Sequence, residues 1–196
     1  MAFKQYRNER QVVQGTKKYA MAQTLKGTVR RRRDRLRQGL VKEPILRELI
    51  QLPKGEELND WLAVNTIHFF NIASMVYGTC QELCTCPSMS AGAKYQYLWA
   101  DGIKVTTPQA LSAQEYMRHL FDWIEELLTN EQLFPQDDQS TYPDDFEEAV
   151  KTIFKRLFRM YCHIYYSHFD QIKSMGAEMH LNSSFQHFAC FIVEFK

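Results

Sequence analysis

A mainly α-helical bundle is predicted by three features of this 196-residue chain. Four or five stretches repeat apolar residues at helical spacing, one short segment alone has strand character, and there is no internal repeat. With 45% hydrophobic residues, the chain can bury one substantial core, but it is too short for a second full domain.

Residues 1–43 read as a basic extension, flexible or partly helical, and 44–196 as the folded domain. Residues 1–42 hold 13 Lys/Arg against two acids, about +11, so the overall charge of +1 conceals a balance of about −10 in the remainder. The run Val29–Arg37, VRRRRDRLR, has too little apolar surface to offset the entropy of ordering. It suits a solvated arm, a nuclear-import signal, or a patch for acidic partners, the acidic domain of the same chain included.

From Pro44, ILRELIQL is the first helical stretch and Pro53 ends it. Acids at Glu56, Glu57 and Asp60 then cluster where carboxylates favour a helix start. Between Leu58 and Val76 the pattern splits into a core face with Leu58, Leu62, Phe69 and Ile72, and a second face with Glu57, Asp60, Trp61, Val64 and His68. Trp61 among those acids is either half-buried packing or an exposed anchor for a basic partner.

Gly78–Gly92 is a cysteine-rich loop, and Lys94–Asp101, KYQYLWAD, predicts a short strand or hairpin ending at Asp101-Gly102. Ser112–Thr129 is the clearest amphipathic helix, with Tyr116, Leu120, Trp123, Ile124, Leu127 and Leu128 inward. Residues 130–145 form a loop, Phe146–Ile172 a long helix, and Leu181–Phe195 a last, aromatic-rich helix.

The long helix concentrates the chemistry. His163 and His168, with Cys80, Cys84 and Cys86, offer a Cys2His2 set for zinc, or else loop cysteines and core histidines. Five residues of regular helix set side chains about 140° apart, so both histidines reach one metal only if the helix ends, bends or bulges between them. HIYYSH lacks the His-Glu-x-x-His arrangement of zinc hydrolases, and four protein ligands would close the coordination sphere, making such a zinc structural. Lys155, Arg156 and Arg159 project from one broad side of the same helix. They form either a solvated face or a phosphate clamp. No nucleophile elbow or Gly-rich phosphate loop is present in the sequence, which points away from enzymes of those kinds.

The first residues, MAFKQYRNER, lack the apolar stretch of a signal peptide, and no run of about 18 apolar residues is present, so a cytosolic or nuclear protein without membrane insertion is expected. In that setting the five cysteines are thiols or metal ligands rather than disulfides.

The segments LPKGEELNDWLAVNT, FFN, YGT, CPSMSAG, YLWADG, ELLTNEQLFP, KTIFKRLFRMYCHIYYSHFD and HLNSSFQHF, with a closing EF, run in this order from about Leu46 to Phe195. Together they resemble the Mob family of kinase co-activators and adaptors. The resemblance implies a non-enzymatic helical bundle with a structural zinc, here a Mob domain without the family's usual C-terminal helices. It implies zinc ligands Cys84, Cys86, His163 and His168, with Cys80 as the alternative to Cys84, because the family's Cys-x4-Cys is about three residues shorter here. It implies a surface of Glu56, Asp60, Trp61, Val64 and His68 for the basic N-terminal segment of NDR/LATS-type kinases, with His68 where some members carry an acid. It also implies a phosphopeptide pocket at Lys155, Arg156 and Arg159 for upstream Ste20-like kinases or scaffolds, in Hippo or mitotic-exit signalling. The cytoplasm and nucleus, with the spindle pole, centrosome or division site, would be the locations. A different class of function is a zinc-stabilised bundle that binds nucleic acid through the arginine-rich arm.

Overall fold

The computed structural model describes residues 43–136 and 140–195, with side chains from Leu46 onward. The expected basic extension up to residue 42 lies outside the described residues. Six α-helices are present among them: α1 Glu43–Ile50, α2 Leu58–Gly78, α3 Ala113–Thr129, α4 Phe146–Ser167, α5 Phe169–Ser174 and α6 Glu178–Glu194. None is long and apolar enough to cross a membrane.

Helix α2 is the axis of the bundle, packed against α3, α4 and α6, while α1 lies on α6. The two-faced reading of α2 holds in outline and is corrected at two residues. Leu62, Ala63, Thr66, Ile67, Phe69, Phe70 and Ala73 are buried, while Asp60, Val64, His68 and Met75 form a half-buried to exposed strip along the other side. Leu58, placed on the core face, is exposed at the start of the helix, and Trp61, placed on the outer face, is core. The exposed-anchor reading of Trp61 falls. The indole is 2% exposed, and its N–H donates to the Ile50 carbonyl at 3.1 Å. That carbonyl belongs to the last turn of α1, where helical carbonyls lack an internal partner, so one hydrogen bond satisfies the helix end and fixes α1 on α2.

Aromatic packing closes the core. Phe69 meets Phe154, Phe188 and Phe191 at ring separations of 5.6, 5.6 and 5.2 Å, and Phe154 stacks on Phe188 and Phe191. Across the bundle, Phe121 of α3 packs on Phe70 and Tyr77 of α2. Tilted and edge-to-face contacts of this kind add to the burial of each ring.

Helix α3 starts as its sequence dictates. Ser112 accepts from the Glu115 amide and the Glu115 carboxylate accepts from the Ser112 amide, a reciprocal capping box. Tyr116, Leu120, Ile124 and Leu128 are buried, with Trp123 and Leu127 half-buried beside them.

The hairpin expected over Lys94–Asp101 is not present among the described residues. Two isolated antiparallel bridges stand there, Ser90 with Gln96 and Trp99 with Gln109. Trp99 and Gln109 exchange both backbone bonds at 2.8 Å, but the ladder stops there, because the amides of Asp101 and Gly102 turn to the Val105 carbonyl at 3.0 and 3.2 Å. Between them Gly102, at φ +81°, makes the turn, and the Asp101 carboxylate accepts from the amides of Ile103 and Val105. The result is a tightly hydrogen-bonded loop rather than a sheet.

The expected helix Phe146–Ile172 is divided. Helix α4 stops at Ser167, His168 takes φ −130° and ψ 3°, and α5 resumes at Phe169. The interruption falls between the two histidines. The last helix begins at Glu178, three residues before the sequence pattern placed it.

Candidate functional site

Four donor atoms converge where the cysteine loop meets the break after α4. The Cys84 Sγ lies 3.5 Å from the His163 Nε2, and the Cys86 Sγ lies 3.6 Å from the His168 Nε2. All four donor atoms are within 4.8 Å of one another. Metal–sulfur bonds of about 2.3 Å and metal–nitrogen bonds of about 2.0–2.1 Å at tetrahedral angles set S and N about 3.6 Å apart, so the donor set fits a four-coordinate metal.

Local structure accounts for each donor. Cys84 ends a 3-10 turn over Gln81–Leu83, where its amide bonds to the Gln81 carbonyl at 3.2 Å. Two residues on, the Cys86 carbonyl accepts from the Ala113 amide at 3.1 Å, which ties the loop to the first residue of α3. The break at His168 removes the 140° divergence of a continuous helix and turns the second imidazole towards the first, their centroids 5.2 Å apart. Each histidine is oriented from behind: Nδ1 of His163 by the Ser90 carbonyl and Nδ1 of His168 by the Gln171 side-chain oxygen, both at 2.7 Å. These bonds set the tautomer that leaves both Nε2 atoms free to ligate.

Burial keeps the metal-free Cys84 and His163 neutral. Burial pushes the Cys84 thiol up to about 11 and holds the His163 imidazole below its usual range. A thiolate in that pocket is costly until a metal ion compensates its charge. Cys80 stands apart from the cluster. It is fully buried, its thiol donates to the Tyr77 carbonyl at 3.4 Å, and burial followed by the nearby Cys84 raises it to about 12. The choice between Cys80 and Cys84 thus falls to Cys84.

The basic trio is only partly brought together. Arg156 and Arg159 point to the loop at 97–100 and to α3. Arg156 sits over the rings of Trp99 and Trp123, 4.7 and 4.3 Å from their centroids, and donates to the Ala100 carbonyl at 2.6 Å. Arg159 donates to the Tyr116 hydroxyl at 3.2 Å and lies over Tyr97 at 5.4 Å. Lys155 is exposed beside an apolar groove of about 550 Å³ lined by Phe154, Phe158 and Phe191.

The acidic face is likewise mixed. Glu56 is exposed, Val64 and His68 are half-buried, and Trp61 is core. Asp60 accepts from the Tyr142 hydroxyl at 2.7 Å, and the His68 ring packs against Phe69 and His187. Sequence reading missed Ser90, Gln171, Tyr142 and the aromatic surround of the arginines. Only Gln171, one turn after His168, carried a local signal.

Comparison with known proteins follows the same lines. The family model described as the Mob1/phocein family matches residues 37–196. MOB kinase activator-like 1A of Arabidopsis thaliana is 53% identical over 153 residues, 76% of this chain and 71% of that protein. MOB kinase activator-like 1 homolog B of Dictyostelium discoideum is 52% identical over 76% of this chain and 71% of its own length. MOB kinase activator-like 3 of Drosophila melanogaster is 49% identical over 76% and 70%. Similarity of this extent across plants, amoebae and insects, with a family model whose match takes in Cys84, Cys86, His163 and His168, leads to one assignment: the chain belongs to the Mob1/phocein family.

Proposed function

We propose that the protein is a kinase co-activator that acts by binding rather than by catalysis. The observation that carries this is family membership, with relatives at 49–53% identity that are themselves named kinase activators. In this reading the metal at Cys84, Cys86, His163 and His168 is zinc and serves structure. Four protein donors complete its tetrahedron, and it pins the cysteine loop to the junction of α4 and α5.

The partner is the basic N-terminal regulatory segment of an NDR/LATS-type kinase, docked near Glu56, Asp60, Val64 and His68. The domain's excess of about ten negative charges supports the match, and it would steer the encounter. With its ring in the core, Trp61 supports this surface from beneath through its contact with α1. Arg156 and Arg159, with Lys155 nearby, receive a phosphorylated segment of a Ste20-like kinase or scaffold, which would place the protein in Hippo or mitotic-exit signalling in cytoplasm and nucleus.

The test is capture of NDR/LATS-type N-terminal segments by wild type and by the Glu56→Lys, Asp60→Lys double variant, with helicity checked in parallel. Loss of capture with helicity retained is expected. Undiminished capture would remove the acidic surface from the proposal. The charge of about +11 on residues 1–42 favours a second reading, nucleic-acid binding by the arm, which predicts a steep salt dependence that vanishes when residues 1–42 are deleted.

A further inference from the structure

We infer that Trp99, Trp123 and Tyr116 are positioning residues that pre-assemble Arg156 and Arg159 as a rigid reader of a phosphomonoester. The inference rests on the phosphopeptide reading above and adds which residues hold the guanidinium groups in place for that anion.

The geometry is that of a clamp. An arginine side chain has several rotatable bonds, and ordering it at the moment of binding weakens affinity. Here the ordering is done by the fold. Arg156 lies over two indoles, whose own centroids are 6.3 Å apart with planes at 81°, and one of its N–H groups is held by the Ala100 carbonyl. Arg159 is fixed from the other side by the Tyr116 hydroxyl, and Tyr116 packs edge-on against Trp99 at 5.3 Å. One aromatic block, built by α3 and the loop at 97–100, thus holds both guanidinium groups.

Charge points to the ligand. Among the described residues neither Arg156 nor Arg159 has a carboxylate within ion-pair distance; Asp101 acts on Arg156 only from farther off and accepts from the amides of Ile103 and Val105, so the repulsion between the two arginines is only partly offset. Each guanidinium has five donors and has committed one of them to the protein. Two fixed forks are best filled by an anion with three acceptor oxygens and a double charge, a phosphomonoester, whereas a single carboxylate offers two oxygens and one charge.

The experiment compares binding of three peptides, alike except for phosphothreonine, threonine or glutamate at one position, to the full chain. The variants are Trp123→Phe, Trp123→Leu, Trp123→Ala and Tyr116→Phe, each assayed well below its own melting temperature. Trp123 is half-buried, so its replacement leaves the core in place. Wild type should prefer phosphothreonine over both other peptides. Trp123→Leu, which keeps apolar bulk but lacks a π face, and Trp123→Ala should each reduce that preference about fivefold, the size of one cation–π contact. Trp123→Phe should retain most of it, and Tyr116→Phe should reduce it about twofold. An unchanged preference in Trp123→Leu and Trp123→Ala, whatever their melting temperatures, assigns Trp123 to packing alone and overturns the clamp. Equal wild-type affinity for phosphothreonine and threonine overturns the phosphopeptide reading itself, and the clamp with it, before any variant is considered. Equal wild-type affinity for phosphothreonine and glutamate overturns the phosphomonoester selectivity.

Discussion

Helix α4 carries two sites a few residues apart that are held in opposite ways. Around Arg156 and Arg159 the helix is regular, and the protein supplies its own partners, two indoles, a tyrosine hydroxyl and a backbone carbonyl. Around His163 and His168 the helix is interrupted, and the partners are thiols about 80 residues distant in the chain, placed where the four donors could hold a metal ion. The first site is complete once the chain folds. The second fits a cation, and in the zinc reading proposed above the loop between α2 and α3 is as stable as its metal occupancy allows.

The sharpest way to break this contrast is to remove the metal. Chelation, or Cys84→Ser, should lower the melting temperature by roughly ten degrees or more, consistent with a loss of several kcal/mol when a structural site is emptied, while most helicity remains. Cys80→Ser should leave metal content unchanged, and elemental analysis of the two variants would expose an error in the choice of Cys84.

A subtler perturbation leaves the ligands in place and removes an orienting group. Gln171→Ala should weaken metal affinity by about 10- to 100-fold, read by chelator competition, with little change in stability at saturating metal. Unaltered affinity would mean that the His168 ring is held by its packing alone.

Disturbing the other site should spare the metal. Arg156→Ala removes two cation–π contacts and a half-buried hydrogen bond, at a cost of about 1–3 kcal/mol in denaturant unfolding, with metal content unchanged. Coupled loss of metal and stability would show that the two sites act as one.

The mildest probe is pH. Burial, the largest cause, depresses the metal-free His163 below its unfolded value, so the unfolded chain takes up the proton first. Stability of the metal-free protein should therefore decline as pH falls below about 6.5, the ordinary histidine value, and through the lower folded value. Saturating metal should move the onset of that decline to lower pH, because the metal competes for the Nε2 that the proton takes up. A denaturant midpoint that rises on acidification would reverse the sign.

How much was legible in advance depends on where the information sits. Helix α3 could be read almost whole, because Ser112 and Glu115 cap it and its apolar residues follow one helical face. The candidate metal ligands were legible as residue types and as a condition on geometry, a helix break between His163 and His168, which is where the break occurs. Helix α2 was legible along its outer strip of Asp60, Val64 and His68, but Trp61 was set on that strip because no local pattern shows that α1 covers it. The hairpin was misread because YLWAD has strand-forming residues, but pairing ends after Trp99 and Gln109, where the amides of Asp101 and Gly102 close a tight turn on the Val105 carbonyl.

By itself, then, the sequence determined a helical domain, its approximate helices, the division between a basic arm and an acidic domain, and the list of candidate ligands, because these follow from local periodicity, capping and composition. Tertiary structure alone decided that Cys84 rather than Cys80 faces the histidines, that Trp61 ties α1 to α2 from within the core, and that Arg156 lies between Trp99 and Trp123. Those outcomes depend on which distant surfaces meet. Contacts between residues 11 to 79 positions apart have no period or spacing from which they can be read.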